Sequence, residues 1–190
     1  MGSQYKPSSV DGVHSDVKVV ETPTKVRPYD VLLRFLGLSL TLVATIIVGV
    51  YKETKIISYA GMQFKATAKW EYMSAIVFFL VSNAIACSYT AASLVILAMS
   101  RSSENSVTLL VLTILDLVIM ALLFSANGAA SAVGVIGKNG NSHVQWMKVC
   151  NVFDAYCRHM NSALVLSLIG SMVFLLLVAL SVFKLHNRSI

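Results

Sequence analysis

Arg34 and Asp116 are the residues whose chemistry the rest of the chain has to accommodate, because each lies inside a different stretch that is otherwise apolar. An ionised side chain at mid-bilayer costs at least about 2.5 kcal/mol on insertion scales, so it is seldom left facing lipid. Two chemistries suit such a pair: a structural ion pair that pins one helix to another, or a relay or gate whose carboxyl takes up and releases a proton. Snorkelling by Arg34 alone is a third arrangement. It leaves Asp116 stranded, or protonated and bonded to Asn or Thr.

A second group sits in one loop, where His143, Cys150, Cys157 and His159 fall within seventeen residues. Two thiols seven residues apart can close a small ring in an oxidising compartment. A metal site is the rival reading, although the spacing lacks the two close ligand pairs of the usual zinc patterns. Free thiols are the third. The remaining cysteine, Cys87, reads as a small apolar packing residue.

Nothing else in the chain resembles catalytic machinery. A nucleophile needs a base within reach, yet His14, His143, His159 and His186 all fall in tail or loops, and there are no paired carboxylates and no glycine-rich phosphate loop. The expectation is a non-enzyme without cofactor or metal.

The elements that position these residues are four long apolar stretches, predicting spans at about 31–50, 74–99, 106–127 and 162–183. Each reaches the roughly 20 residues that cross a hydrocarbon core about 30 Å thick. The predicted fold is an all-α membrane protein, a four-transmembrane-helix bundle over residues 29–184. The third stretch is too long for one span, so its Gly- and Ala-rich end, Gly128 to Gly137, is expected to protrude or fray. A soluble fold would need four helices apolar on every face with almost no amphipathic cover.

Residues 1–28 hold all three prolines among Ser, Thr, Lys and Asp, and read as a disordered cytoplasmic tail. Residues 185–190 form a cytoplasmic tip. The tail has no short apolar core followed by a cleavage site, so the first span is expected to be retained. The formal net charge of +6 comes from basic residues scattered through tail and loops, which argues against nucleic acid and for a membrane surface. Counting Lys and Arg on the two sides gives seven against seven, so charge does not set the topology. Both ends are assigned to the cytoplasm because an untargeted polar tail is not translocated and the cysteine loop suits the outside.

Small residues at helical spacing mark the faces that meet, since close backbone approach drives association in lipid. Gly37, Thr41, Thr45 and Gly49 recur every four residues in the first span. In the third, Asp116, Asn127 and Gly134 project within about 20° of one another at 100° per residue. Ser82, Ala86 and Thr90 in the second span, with Ala163, Ser167 and Ser171 in the fourth, complete the set. In the first outer loop, Thr54 to Trp70 alternates around Gly61 and reads as a short hairpin. Trp70 and Trp146 read as interfacial anchors or partner contacts.

The chain resembles the Casparian strip membrane domain proteins and the wider CASP-like group. The resemblance is carried by Asp30-Val-Leu-Leu-Arg34, Ala66-Thr-Ala-Lys-Trp-Glu-Tyr72, Val77-Phe-Phe-Leu-Val-Ser-Asn-Ala-Ile-Ala-Cys87, Asp116, and Gly140-Asn-Ser-His-Val-Gln-Trp-Met-Lys-Val-Cys150 followed by Cys157. These pieces place it with the first CASP-like subgroup, and the layout is similar to four-span MARVEL proteins. The resemblance implies a multi-pass plasma membrane scaffold with both ends cytoplasmic, forming homo-oligomers and hetero-oligomers with related members and engaging cell-wall enzymes. It maps the family's intramembrane Arg and Asp to Arg34 and Asp116, and its outer-loop cysteines to Cys150 and Cys157. The first outer loop, Tyr51 to Glu71, lacks the short Phe-rich signature of the true Casparian strip proteins. Endodermal barrier formation is therefore not implied. The runner-up function is a small channel or transporter subunit that uses the Arg34/Asp116 pair as gate or relay. An oxidoreductase cycling Cys150 and Cys157 is a third class.

Overall fold

Pro28 opens the first helix, where its fixed φ and missing N–H cost nothing, and Asp30 in the first turn complements the helix dipole. A computed structural model of the chain describes residues 28–59, 62–99, 106–143 and 146–189. Residues 1–27 of the expected disordered tail lie outside the described residues. The element order is α1 (Pro28–Val50), β1 (Glu53–Tyr59), β2 (Met62–Ala68), a single 3-10 turn (Trp70–Tyr72), α2 (Ser74–Met99), α3 (Ser106–Asn139), α4 (Val149–Val152) and α5 (Asp154–Ser189). The chain is an all-α membrane protein whose helices α1, α2, α3 and α5 are each long and apolar enough to cross a bilayer.

The four helices close a ring in which α1 packs on α2 and α5, and α3 packs on the same two. α1 and α3 are therefore the diagonal pair. Leu32, Phe35, Ile46, Val118, Leu176 and Phe183 point outward and are exposed. Buried inside are Arg34, Thr41, Ser82, Asn83, Thr90, Ser93, Asp116, Asn127, Ser167 and Ser171. This distribution inverts that of a soluble bundle and suits lipid, where apolar surface is free to face outward.

Two apolar clusters bracket the bundle. One gathers Ala44, Val48, Ile76, Phe79, Ala130, Met160 and Ala163 near the loop-bearing end. The other gathers Ala86, Ile119, Leu123, Phe174 and Leu177 deeper along the helices.

α3 and α5 exceed the bilayer. At 1.5 Å per residue α3 runs about 50 Å and α5 about 54 Å, against a core of about 30 Å. The end of α3 expected to protrude or fray stays regularly helical through Asn139. Packing explains it: Ala130 is fully buried in the upper cluster, and a Cβ on Gly137 would lie 3.8 Å from Cys150 Sγ. α5 likewise begins at Asp154, eight residues before the expected start of the fourth span at 162.

α3 ends at Gly140, whose φ of +70° is the left-handed C-terminal cap conformation that favours glycine. Its N–H bonds the Ile136 carbonyl at 2.8 Å. A side chain there would also meet the Trp146 carbonyl at 2.8 Å. Asn141 and Trp146 then exchange two backbone hydrogen bonds, of 3.1 and 2.9 Å, which closes the loop on itself.

Candidate functional site

Arg34 reaches Asp116 across the diagonal of the ring. Its Nη1 lies 2.9 Å from Oδ1 and its Nη2 2.5 Å from Oδ2, the two-pronged arrangement for which a planar guanidinium is suited. Arg34 is 4% exposed and Asp116 0%, so the pair is withdrawn from both lipid and water. The depth difference read from sequence, about 7 Å at 1.5 Å per residue, does not keep the two side chains apart.

Two residues of α2 complete the cluster. Arg34 Nη1 donates to Ser93 Oγ at 3.0 Å, and the Ser93 hydroxyl donates in turn to the Thr90 carbonyl at 2.8 Å. The Tyr89 hydroxyl lies 2.7 Å from Asp116 Oδ1 and 3.2 Å from the Leu112 carbonyl. Three helices thus converge on one carboxylate. Sequence reading missed Tyr89 and Ser93. Extending the Ser82–Ala86–Thr90 row by three residues would have reached Ser93, and a tyrosine inside an apolar span has a hydroxyl that needs a partner.

A second polar contact joins α3 to α5. Asn127 Nδ2 lies 2.9 Å from the Leu123 carbonyl, 3.2 Å from Ser167 Oγ and 3.1 Å from Ser171 Oγ. Gly134, grouped with Asp116 and Asn127 by helical angle, does not pack: a Cβ there would have no neighbour within 4 Å. The shared angle alone does not bring a neighbouring helix within reach of Gly134.

The small-residue row of α1 also needs correction. Gly37 and Thr41 are buried, Thr45 is half-buried and bonds its own Thr41 carbonyl at 2.7 Å, and Gly49 is exposed. Steps of four residues advance 400°, so such a row drifts about 40° per step away from a straight seam. The buried line is instead Arg34, Gly37, Thr41, Ala44 and Val48. Its partner is a row on α5. A Cβ on Gly37 would lie 3.4 Å from Phe174, and one on Gly170 would lie 3.3 Å from Thr41 Cγ2, so each helix sets a side chain over the other's glycine.

At the loop-bearing end Cys150 and Cys157 form a disulfide with Cα atoms 5.7 Å apart, clasping α4 to α5 across buried Phe153. Both sulfurs are thereby used, and the His159 ring lies against Tyr51, centroids 4.0 Å apart. No group of three or more His, Cys, Asp or Glu among the described residues could hold a metal ion. The hairpin read from the sequence is present, with β1 and β2 antiparallel from Glu53 opposite Ala68 to Tyr59 opposite Met62. Glu53 fastens it to α5: Oε2 accepts the Tyr156 N–H at 2.7 Å, and Lys55 lies 3.1 Å from Oε1. Burial acts to raise this carboxyl, but the Tyr156 N–H and Lys55 outweigh it and hold it below its ordinary value.

The description "Casparian strip membrane protein domain" fits residues 23–173, which run from just before α1 into the middle of α5 and include every group of the ion-pair cluster. The chain belongs to this Casparian strip domain family. Among its relatives, the CASP-like protein 1E1 of Vitis vinifera is 50% identical, with 100% of this chain and 98% of that protein covered. The CASP-like protein 1E1 of Glycine max is 46% identical over 95% of this chain and 100% of its own length. The one of Arabidopsis thaliana is 39% identical over 94% and 96%. No solved structure matches. The subgroup read from the sequence motifs agrees with the names of these relatives.

Proposed function

We propose that this CASP-like protein is a non-enzymatic scaffold of the plasma membrane, with both ends cytoplasmic, that self-associates with copies of itself and with related family members. Such an assembly organises membrane subdomains and holds cell-wall-modifying partners in place. The observation that carries this reading is the state of Asp116. Its carboxylate is fully buried, both oxygens face Arg34, and Tyr89 takes a further position. A relay carboxyl has to exchange protons with water. This one is occupied by groups of its own bundle, as suits a pin between helices.

Two features support the rest. A disulfide at the hairpin end suits an oxidising compartment, and four spans return both termini to the opposite side. The apolar flanks of the four helices offer lateral surface for neighbouring copies.

Fluorescence recovery after photobleaching of the tagged protein in its native plasma membrane tests the assembly. Slow recovery inside stable patches is expected; fast, uniform recovery overturns the scaffold. The exchange Arg34→Asp with Asp116→Arg tests the pair: assembly lost in each single variant and regained in the double is expected. Intact assembly with altered ion flux in liposomes would instead make the pair a gate.

A further inference from the structure

The disulfide-bearing end of the bundle holds more cations than its own acids use. Glu53 is matched to Lys55 at 3.1 Å, Glu71 to Lys69 at 3.9 Å and Asp154 to Arg158 at 3.8 Å. Lys52, Lys65, Lys138 and Lys148 have no carboxylate partner among the described residues.

The hairpin sorts part of this excess onto one face. Side chains alternate along a strand, and directly opposed residues share a face. One face holds Glu53, Lys55, Ile57 and Phe64, and Glu53 binds it to α5. The other holds Thr54, Ile56, Ser58, Gln63, Lys65 and Thr67, all exposed except half-buried Thr67. The Thr54 and Thr67 hydroxyls meet at 3.0 Å across it, near the base of the hairpin. Lys52 and Lys69 flank the base of this face, and Lys65 follows about 14 Å along the strand from Lys69, at about 3.4 Å per residue.

The setting narrows what can neutralise these lysines. A disulfide beside the hairpin suits the non-cytoplasmic side, away from nucleic acid. The anionic lipids that attract polybasic segments belong to the cytoplasmic leaflet. Among the polyanions of that side, a glycan carrying carboxylates fits this face. It matches the face in chemistry as well as charge: the Thr54 and Thr67 hydroxyls stand between Lys52 and Lys65, Ser58 and Gln63 follow beyond Lys65, and Ile56, 69% exposed, offers apolar contact to a ring face.

We propose that the outward face of the β1–β2 hairpin binds a linear polyuronate lying along the strands, with Lys52 and Lys65 on its carboxylates. The inference takes from the scaffold reading only the side on which the hairpin lies.

The test uses the full-length protein in nanodiscs of neutral lipid, where the hairpin is open to solution whatever its orientation in the cell. Binding is measured against polygalacturonate and against the same polymer with its carboxyls methyl-esterified. Binding to the free acid, loss on esterification, and an about tenfold weakening by Lys52→Gln with Lys65→Gln are expected. Lys55→Gln, on the opposite face, is expected to bind as the parent does. No binding to the free acid overturns the proposal and leaves the photobleaching result standing on its own. Equal weakening by Lys55→Gln overturns the face assignment. Equal capture by vesicles containing phosphatidylserine, removed by the same double variant, overturns the choice of glycan.

Discussion

The Tyr89 hydroxyl lies 2.7 Å from the same Asp116 oxygen that receives one arm of Arg34, so α2 braces an ion pair formed between α1 and α3. The carboxylate is shared by groups from both sides, and each depends on the other two staying in place. Removing any one leaves a buried polar group without its counterpart.

Asp116→Asn and Arg34→Met each strand one member of the pair. A loss of about 3–5 kcal/mol is expected for either, as when a buried ion pair is broken from one side. Replacing both, as Arg34→Met with Asp116→Leu, removes the charges together and should recover most of it. Reversible unfolding in mixed micelles reads this directly, and a double variant as unstable as the worse single one contradicts the pairing.

Tyr89→Phe deletes one hydroxyl and leaves the ion pair. Hydrogen bonds between membrane helices average about 0.6 kcal/mol, with charge-assisted ones higher, so a cost of about 1–2 kcal/mol is expected. The same unfolding assay should rank it well below Asp116→Asn. Equal cost would mean that the tyrosine, rather than the arginine, holds the carboxylate.

At the α1–α5 crossing the glycines are not equivalent. Gly170→Leu forces a side chain into Thr41 and should destabilise by about 1–3 kcal/mol. Gly134→Ala meets nothing and gains helix propensity, for a change of about 0.5–1 kcal/mol in the favourable direction. Thermal stability of the detergent-solubilised variants separates the two; similar behaviour would remove the crossing assigned to Gly170.

Cys150→Ser opens the short ring, closed by cysteines seven residues apart, that clasps α4 to α5. Constraint of so short a loop is worth about 2–3 kcal/mol. Local exchange should increase around Val149–Val152, read by hydrogen–deuterium exchange, while the distant Arg34 cluster keeps its protection. Maleimide labelling of the parent protein before and after reductant checks that the bond is closed and stays closed, which also tests against a thiol-cycling enzyme.

The Glu53 carboxyl is held below its ordinary value, so its contribution has a definite sign. A depressed folded-state pKa stabilises the attachment above the unfolded value and loses that contribution as pH falls through the folded one. The hairpin should therefore stay seated on α5 at neutral pH and loosen only in acid below the usual carboxylate range. Exchange of the Tyr156 amide against pH follows it, and Glu53→Gln should flatten the profile.

The long apolar runs and the two interrupting charges made the span count and the diagonal pair legible in the sequence, because lipid leaves few other homes for an arginine and an aspartate. The hairpin was legible from alternation around Gly61. Partners chosen by tertiary approach were not. Gly170 carries no local mark distinguishing it from Gly134, and only the position of α5 against Thr41 makes one tight and the other open. The drift of a four-residue repeat misdirected the reading at Gly49, and the extension of α3 to Asn139 and the early start of α5 go with contacts around Cys150 that composition does not report.

Arg34 and Asp116 are 82 residues apart in the chain, and that interval sets an order on how the protein is made. A ribosome delivers α1 with its guanidinium before α2 exists and long before the carboxylate on α3 has been synthesised. In the interval Ser93, arriving on α2, is the acceptor already seen to bond Arg34. A nascent chain halted after α2 carries an unneutralised charge in the bilayer, and so does one whose third helix fails to insert. Closure of the pair therefore waits for α3, and only a chain that has inserted its third helix has that charge neutralised.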